Sequence, residues 1–209
     1  MTLTDLLFIV SFLVTAGALI RIVYLLLRSR TAAARTSAIR LAAYVAIYGV
    51  ALVITSLVSP QQVVKVGEER CFDEWCITVT GASREPSVGG VRANGIFYIV
   101  SVRVSSHSRG RPQREKDVYT YLTDDRGRRF EKSTAGQSAL QRAGLAGVPV
   151  TSFIDPGGSF ESHLAFDVPR DATNMGFVKR SHGWFPTLFI IGDSSSFLHR
   201  PTIVRLGTS

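Results

Sequence analysis

The stretch Gly95-Ile96-Phe97-Tyr98-Ile99-Val100-Ser101-Val102-Arg103-Val104-Ser105 decides the fold class. Ile96, Tyr98, Val100, Val102 and Val104 fall on one side of an extended backbone, with Ser101, Arg103 and Ser105 on the other. A strand imposes this period of two, because successive side chains leave opposite faces of the pleat. The strand is expected to be half-buried, with its first residues apolar on both sides. Phe160–Val168 repeats the pattern, with Phe160, Leu164, Phe166 and Val168 pointing one way and Glu161, His163 and Asp167 the other. Asp155-Pro156-Gly157-Gly158 before it is a turn by composition, since Pro sets φ and Gly supplies positive φ. Asp124-Asp125-Arg126-Gly127 plays the same part between Val118–Leu122 and Arg128–Lys132, which predicts a hairpin. Further strands are expected at Val63–Gly67, Cys76–Thr80, Thr151–Ile154, Leu188–Ile191 and Thr202–Leu206, with one short helix at Ala135–Ala143 capped by Ser133 or Thr134. About eight short strands with regularly spaced turns predict a mainly β chain, folded after residue 60 as an antiparallel β-sandwich.

Upstream of that domain the pattern is different. The chain has 209 residues, 45% of them apolar and 19% charged, which excludes a disordered protein, and its two cysteines exclude a disulfide-dense miniprotein. Its mean hydropathy of +0.18 is concentrated in the first sixty residues. Leu6–Leu27 reads as one helix of roughly 33 Å, long enough for a hydrocarbon core of about 30 Å. Arg21 lies near its end, where the long stem can snorkel to the headgroups. Leu41–Val58 carries no charge and reaches roughly 27 Å, a second transmembrane helix. Residues 1–60 are thus expected to form a two-helix transmembrane anchor, helices 6–27 and 41–58, joined by an Arg-rich cytoplasmic loop 28–40.

That loop holds Arg28, Arg30, Arg35 and Arg40 and no acid, so the positive-inside rule keeps it in the cytoplasm and places residues 61–209 outside. The location implied is the cytoplasmic (inner) membrane, multi-pass, with the C-terminal domain on the periplasmic or extracellular side. Met1–Asp5 has no basic residue and one acid, the wrong lead for a cleaved signal peptide, so the first run is expected to remain. The net charge of +8 divides evenly between the anchor and the domain, so the domain is only mildly basic, and no nucleic-acid partner is expected.

The order Val66-Gly67-Glu68, then Gly95–Val104, then Leu122–Phe130 with its Asp124-x-x-Gly127 hairpin, then Ile154–Pro169 with its Pro-Gly turn, resembles an immunoglobulin-like domain family of unknown function found in bacterial lipoproteins and membrane-anchored proteins. The resemblance runs from Val64 to Leu206 and rests on structural turn signals. It implies an immunoglobulin-like antiparallel β-sandwich preceded by two transmembrane α-helices, and it carries over no catalytic residue. The departure is in the anchor, since many members have a lipoprotein signal or one helix.

Cys71 and Cys76 bracket four residues, a spacing that suits a small loop closed across a tight hairpin, and an oxidising compartment would join them as a structural disulfide. The layout of two helices before an external β-domain is also that of subunit II of haem–copper oxidases. The copper site there needs imidazole and thioether ligands shortly downstream of its thiolates, whereas here no histidine precedes His107 and Met175 is far removed. No metal site is expected, because His107, His163, His182 and His199 show no ligand spacing, and His163 falls on the polar face of its strand. Ser194-Ser195-Ser196 has no nucleophile motif around it, and no glycine-rich phosphate loop occurs, so neither enzyme activity nor a cofactor is expected.

Arg109, Arg111 and Arg114, with Arg126, Arg128 and Arg129, form two basic runs that are candidates for an anionic-partner surface, although acids interrupt or follow both. Trp184-Phe185-Pro186 with Phe189 is expected to be core, or a loop packed on the sandwich. The functional expectation is a non-enzymatic, integral membrane protein whose outer domain binds a protein partner in the envelope or braces envelope structure. The alternatives are an accessory subunit of a transporter or respiratory complex, and an envelope sensor of small anionic ligands.

Overall fold

The computed structural model describes residues 3–72, 74–181, 187–191, 196, 198 and 200–207. By contacts the chain divides into two compact units, Met1–Pro60 with Gly183–Arg200, and Gln61–His182 with Pro201–Ser209. Of the residues that the sequence reading places in the sandwich domain 61–209, the described ones at 187–191, 196, 198 and 200 group with the helices.

The first unit is built on α1 (Leu3–Leu27) and α2 (Thr31–Val58). Both are long and apolar enough to cross a membrane, and little of either is buried inside the protein. Their exposed surface is Leu, Ile, Val and Phe, with Ile20 and Ile47 each about 70% exposed. α2 begins ten residues before the predicted Leu41. The segment Thr31–Arg40 has no Pro or Gly, and its alanines and arginines favour helix, so the helix runs on past its apolar part. The expected Arg-rich loop 28–40 therefore shrinks to Arg28-Ser29-Arg30, with Ser29 in the left-handed region at φ +58°. Tyr44 Oη donates to Ser11 Oγ at 2.8 Å between the helices, and Tyr48 Oη donates to the Phe189 carbonyl at 2.7 Å.

The second unit is a β-sandwich. One sheet contains β1 (Val63–Lys65), β5 (Val118–Thr123), β6 (Arg129–Glu131), β8 (Gly176–Ser181) and β9 (Ile203–Arg205) in the order β1-β9-β8-β5-β6. The other contains β2 (Glu69–Phe72), β3 (Trp75–Val88), β4 (Val91–Ser106) and β7 (Ser159–Val168) in the order β2-β3-β4-β7. Every ladder is antiparallel except β1–β9, whose parallel pairing departs from the expectation. The helix α3 (Thr134–Arg142) starts at Ser133, whose Oγ accepts from the Gly136 amide as an N-cap.

Other expectations are corrected locally. Thr151–Ile154 is no strand, because the chain turns with Ser152 N–H on the Pro149 carbonyl, and only Ile154 makes a bridge, to Gln113. Leu188–Ile191 is not a strand either, since Thr187–Phe189 is a turn of 3-10 helix. The β3–β4 hairpin extends well beyond the predicted Cys76–Thr80 and closes at Gly89-Gly90, both at positive φ as a two-residue hairpin requires. The polar run Arg84-Glu85-Pro86-Ser87 hides that extension in the sequence, and the ladder accommodates Pro86 with a register shift between Glu85 and Ser87.

The main core lies between the sheets, where Val100, Val102, Val104, Phe166 and Val168 meet Leu122 and Phe177, all almost fully buried. A second cluster, Phe97, Ile99, Ala165, Ala139 and Leu140, lies on the outer face of β4 and β7 beneath α3. This explains the doubly apolar start of the opening stretch: β4 is covered on both faces there and on one face further along. Each large side chain so buried contributes roughly 1.5–3 kcal/mol. α3 also covers an exposed sheet edge. The Gln137 side chain donates to the His163 carbonyl at 3.0 Å and accepts from the Ala165 amide at 3.2 Å, so its amide stands in for a neighbouring strand along β7.

Candidate functional site

The odd-numbered side of β4 carries the chemistry. The sequence reading made Ser101, Arg103 and Ser105 its solvent face, and the structure gives each a cross-strand partner. Ser101 pairs with His163 in the β4–β7 register, and Ser101 Oγ lies 2.8 Å from His163 Nδ1. Arg103 pairs with Glu161, Nη2 to Oε1 at 3.3 Å, an exposed pair contributing about 0–1 kcal/mol. Ser105 Oγ donates to Glu69 Oε1 at 2.6 Å.

Next to Ser101 the outer face opens into a cleft of about 440 Å³ between the β3–β4 hairpin and α3. Ser83, Glu85, Ser101 and His163 form its polar part, and Ile99 and Leu140 are among its apolar residues. The volume falls in the range of small-ligand sites. The His163–Ser101 contact was not legible in the sequence, because it depends on the register of two strands far apart in the chain. His163 itself is half-buried, not the solvated side chain its face implied.

At the end of the same face, Cys71 and Cys76 are joined in a disulfide across the β2–β3 hairpin. Cys71 is exposed and Cys76 fully buried. Beside them His107 Nε2 stands 3.2 Å from Glu69 Oε2. The hydrogen bond from Ser105 and the interaction with His107 outweigh desolvation and hold the Glu69 carboxyl below its usual range. The sequence reading discounted His107 for its distance along the chain from the cysteines, yet Cys76 pairs with Ser105 and so brings His107, two residues further on, to the disulfide. Nothing in the sequence signals it, because the register that sets Cys76 against Ser105 is not visible there.

The six arginines do not form one surface. Arg109, Arg111 and Arg114 are exposed in the loop before β5, and Arg126, Arg128 and Arg129 follow it. Six residues of strand, roughly 20 Å, separate the groups. Arg114 lies over the Phe153 ring at 5.1 Å. Arg126 and Arg128 both reach Asp171 Oδ2, at 3.1 and 3.0 Å, and Arg128 Nε donates to the buried Asp124 at 2.7 Å. Burial alone would raise the Asp124 carboxyl, but hydrogen bonds from the Arg128 side chain and backbone hold it below the usual carboxylate range. Arg129 lies over the Tyr121 ring at 5.1 Å. The later run is therefore a folded turn with its own counter-charges.

Of the other sequence candidates, Trp184-Phe185-Pro186, His182, His199, Ser194 and Ser195 lie outside the described residues. Phe189 is 46% exposed and belongs to the helical unit, not to the sandwich core. Ser196 is buried in that same unit, its Oγ 3.4 Å from Ser56 Oγ.

No family model matches this sequence, and no curated protein does. Among solved structures, the chain is similar to a conserved hypothetical protein from Bacillus anthracis, at 12% identity and TM-score 0.47, over 56% of this chain and 89% of that one. A secreted protein of Mycobacterium tuberculosis, MPT63, is similar over the same shares at 12% identity and TM-score 0.42. An uncharacterised β-sandwich protein from Clostridium difficile is similar at 11% identity and TM-score 0.40, over 71% of this chain and 97% of that one. Similarity at this level says nothing of what the chain does.

Proposed function

We propose that this is a non-enzymatic membrane-anchored protein that holds an immunoglobulin-like β-sandwich outside the cytoplasmic membrane, where it binds a protein partner of the envelope. The observation that carries the reading is the pair of apolar helices, their outward surface unburied, joined through a segment with four arginines and no acid. The cystine at Cys71–Cys76 fits an oxidising compartment. The cleft beside α3, with Ser101 and His163 in its polar part, would take a projecting side chain of the partner. Ser101 lies in a central strand whose amides serve ladders on both sides, which favours binding there over acyl-transfer chemistry requiring paired oxyanion donors. Asp124 and Asp171 already answer Arg126 and Arg128, which weakens the anion-sensor alternative.

Labelling intact cells with a membrane-impermeant maleimide tests the placement, since Cys71 and Cys76 are the chain's two cysteines. Labelling that requires prior reduction, but not breakage, is expected. Labelling that requires breakage and no reduction overturns the outside placement. Affinity purification from gently solubilised membranes should recover a reproducible protein partner, lost when Leu145, which lines the cleft and is 57% exposed, is replaced by Arg. A chain that recovers none across several detergents is not a binding module, and co-migration with a large complex on native gels would favour the accessory-subunit reading.

A further inference from the structure

The corner formed by Glu69, Cys71, Cys76 and His107 has the donors of a metal site. One ligand atom from each of the four lies within 4.8 Å of every other. The placement follows from strand geometry: Glu69 and Cys71 are two apart on β2, Cys71 pairs with Cys76, Cys76 pairs with Ser105, and His107 is two residues beyond. His107 Nε2 and Glu69 Oε2 are 3.2 Å apart. In a tetrahedron with bonds of roughly 2.0–2.1 Å to nitrogen and oxygen, two such ligands stand roughly 3.3 Å from each other. These two donors thus already have the separation that a shared metal would set. Both are tethered, His107 by its amide to the Glu74 carbonyl at 2.8 Å and Glu69 by the Ser105 hydroxyl at 2.6 Å. Glu69, Cys71 and His107 are exposed, so an ion could enter from solvent.

We propose that reduction of the Cys71–Cys76 disulfide turns this corner into a zinc site, with the two thiolates, His107 Nε2 and the Glu69 carboxylate as its four ligands. The reductant is a dithiol of the thiol–disulfide oxidoreductase class. Its thiolate attacks one sulfur, the protein S–S bond breaks, and the donor leaves as its own disulfide, having given two electrons and two protons to the cysteines. Zinc then displaces the two thiol protons to solvent. Two sulfurs, an imidazole and a carboxylate in fourfold arrangement suit Zn²⁺, whose sites mix these donors, better than Cu(I), which selects soft ligands alone. The reverse exchange, in which the oxidoreductase's own disulfide takes the two electrons back and is reduced to its dithiol, would expel the ion, because a cystine offers no thiolate. The metal and the disulfide are two states of one corner, and the proposal holds whichever side of a membrane the domain occupies.

The test uses the full chain in detergent, reduced with a phosphine, and titrated with Co²⁺ as a spectroscopic stand-in and then with Zn²⁺. The reduced chain is expected to develop the visible bands of tetrahedral cobalt with thiolate charge transfer, saturating at one ion per chain and bleached by zinc. The oxidised chain should show neither. H107A and E69Q should each weaken binding by about tenfold or more. Both side chains are exposed, so the oxidised variants should melt with the parent protein, and that comparison separates loss of a ligand from loss of fold. Absence of the bands in the reduced chain, folded or not, overturns the proposal. So does binding unchanged in both H107A and E69Q, which would mean a thiol pair catching metal without the other two donors.

Discussion

Lys179 shows how far a single residue can depart from its appearance in the sequence. In Gly176-Phe177-Val178-Lys179-Arg180-Ser181 it reads as a solvated charge, yet its Nζ lies 3.4 Å from the centroid of the Phe72 ring and 5.2 Å from that of Trp75. Burial lowers its pKa from 10.5 to about 8, opposed in part by Glu115. The folded chain therefore binds this proton more weakly than the unfolded one. Between pH 8 and 10.5 the unfolded state holds the proton and the folded state has lost it, so stability rises with pH through that window. Below pH 8 the full penalty of ~3 kcal/mol applies, net of whatever favours the charged form. Lys179→Met keeps the stem and removes the charge. It is expected to be stabler than the parent at pH 7, by up to ~3 kcal/mol, and to show no rise toward pH 10.5 in thermal melts. A variant that keeps the rise assigns it to another group.

At the scale of elements, α3 shows local preference yielding to packing. Its N-terminus was legible, because Ser133 before a run of helix formers is a capping signal, and Ser133 does cap Gly136. By propensity, Gly136→Ala should stabilise the helix by about 1 kcal/mol. The structure predicts the opposite sign. A Cβ at Gly136 would come within 2.9 Å of both Ala165 Cβ and Phe97 Cε1, beneath which the second core cluster is closed. Overpacking of that kind costs about 1–3 kcal/mol, so urea unfolding should show Gly136→Ala less stable than the parent, and a stabler variant would mean that α3 can lift from the sheet. The boundary of α2 makes a related point. Hydropathy located the apolar part from Leu41 but not the helix from Thr31, because backbone hydrogen bonding continues wherever the residues tolerate it, whether or not lipid surrounds them.

For the whole molecule, the proposed topology makes the direction of insertion a matter of charge and not of shape. Replacing Arg28, Arg30, Arg35 and Arg40 with Gln removes the cationic bias of the connecting segment. Under the proposed topology, a fraction of molecules should then insert the other way, read as Cys71 that a maleimide reaches only in broken cells. Unchanged labelling from outside would show that something other than these arginines sets the orientation.

Composition and periodicity by themselves determined that two long apolar helices precede a domain of short strands, that Ile96–Ser105 is a half-buried strand, and that Cys71 and Cys76 are close enough to join. Those properties are set by neighbours along the chain, where hydropathy and a period of two are directly visible. Tertiary structure alone decided that Ser101 meets His163, that His107 and Glu69 stand beside the cystine, that Arg126 and Arg128 are neutralised by Asp124 and Asp171, and that residues 187–191 group with the helices. Each depends on strand register or on packing between distant segments, and a shift of one residue in a ladder would turn every such side chain to the opposite face.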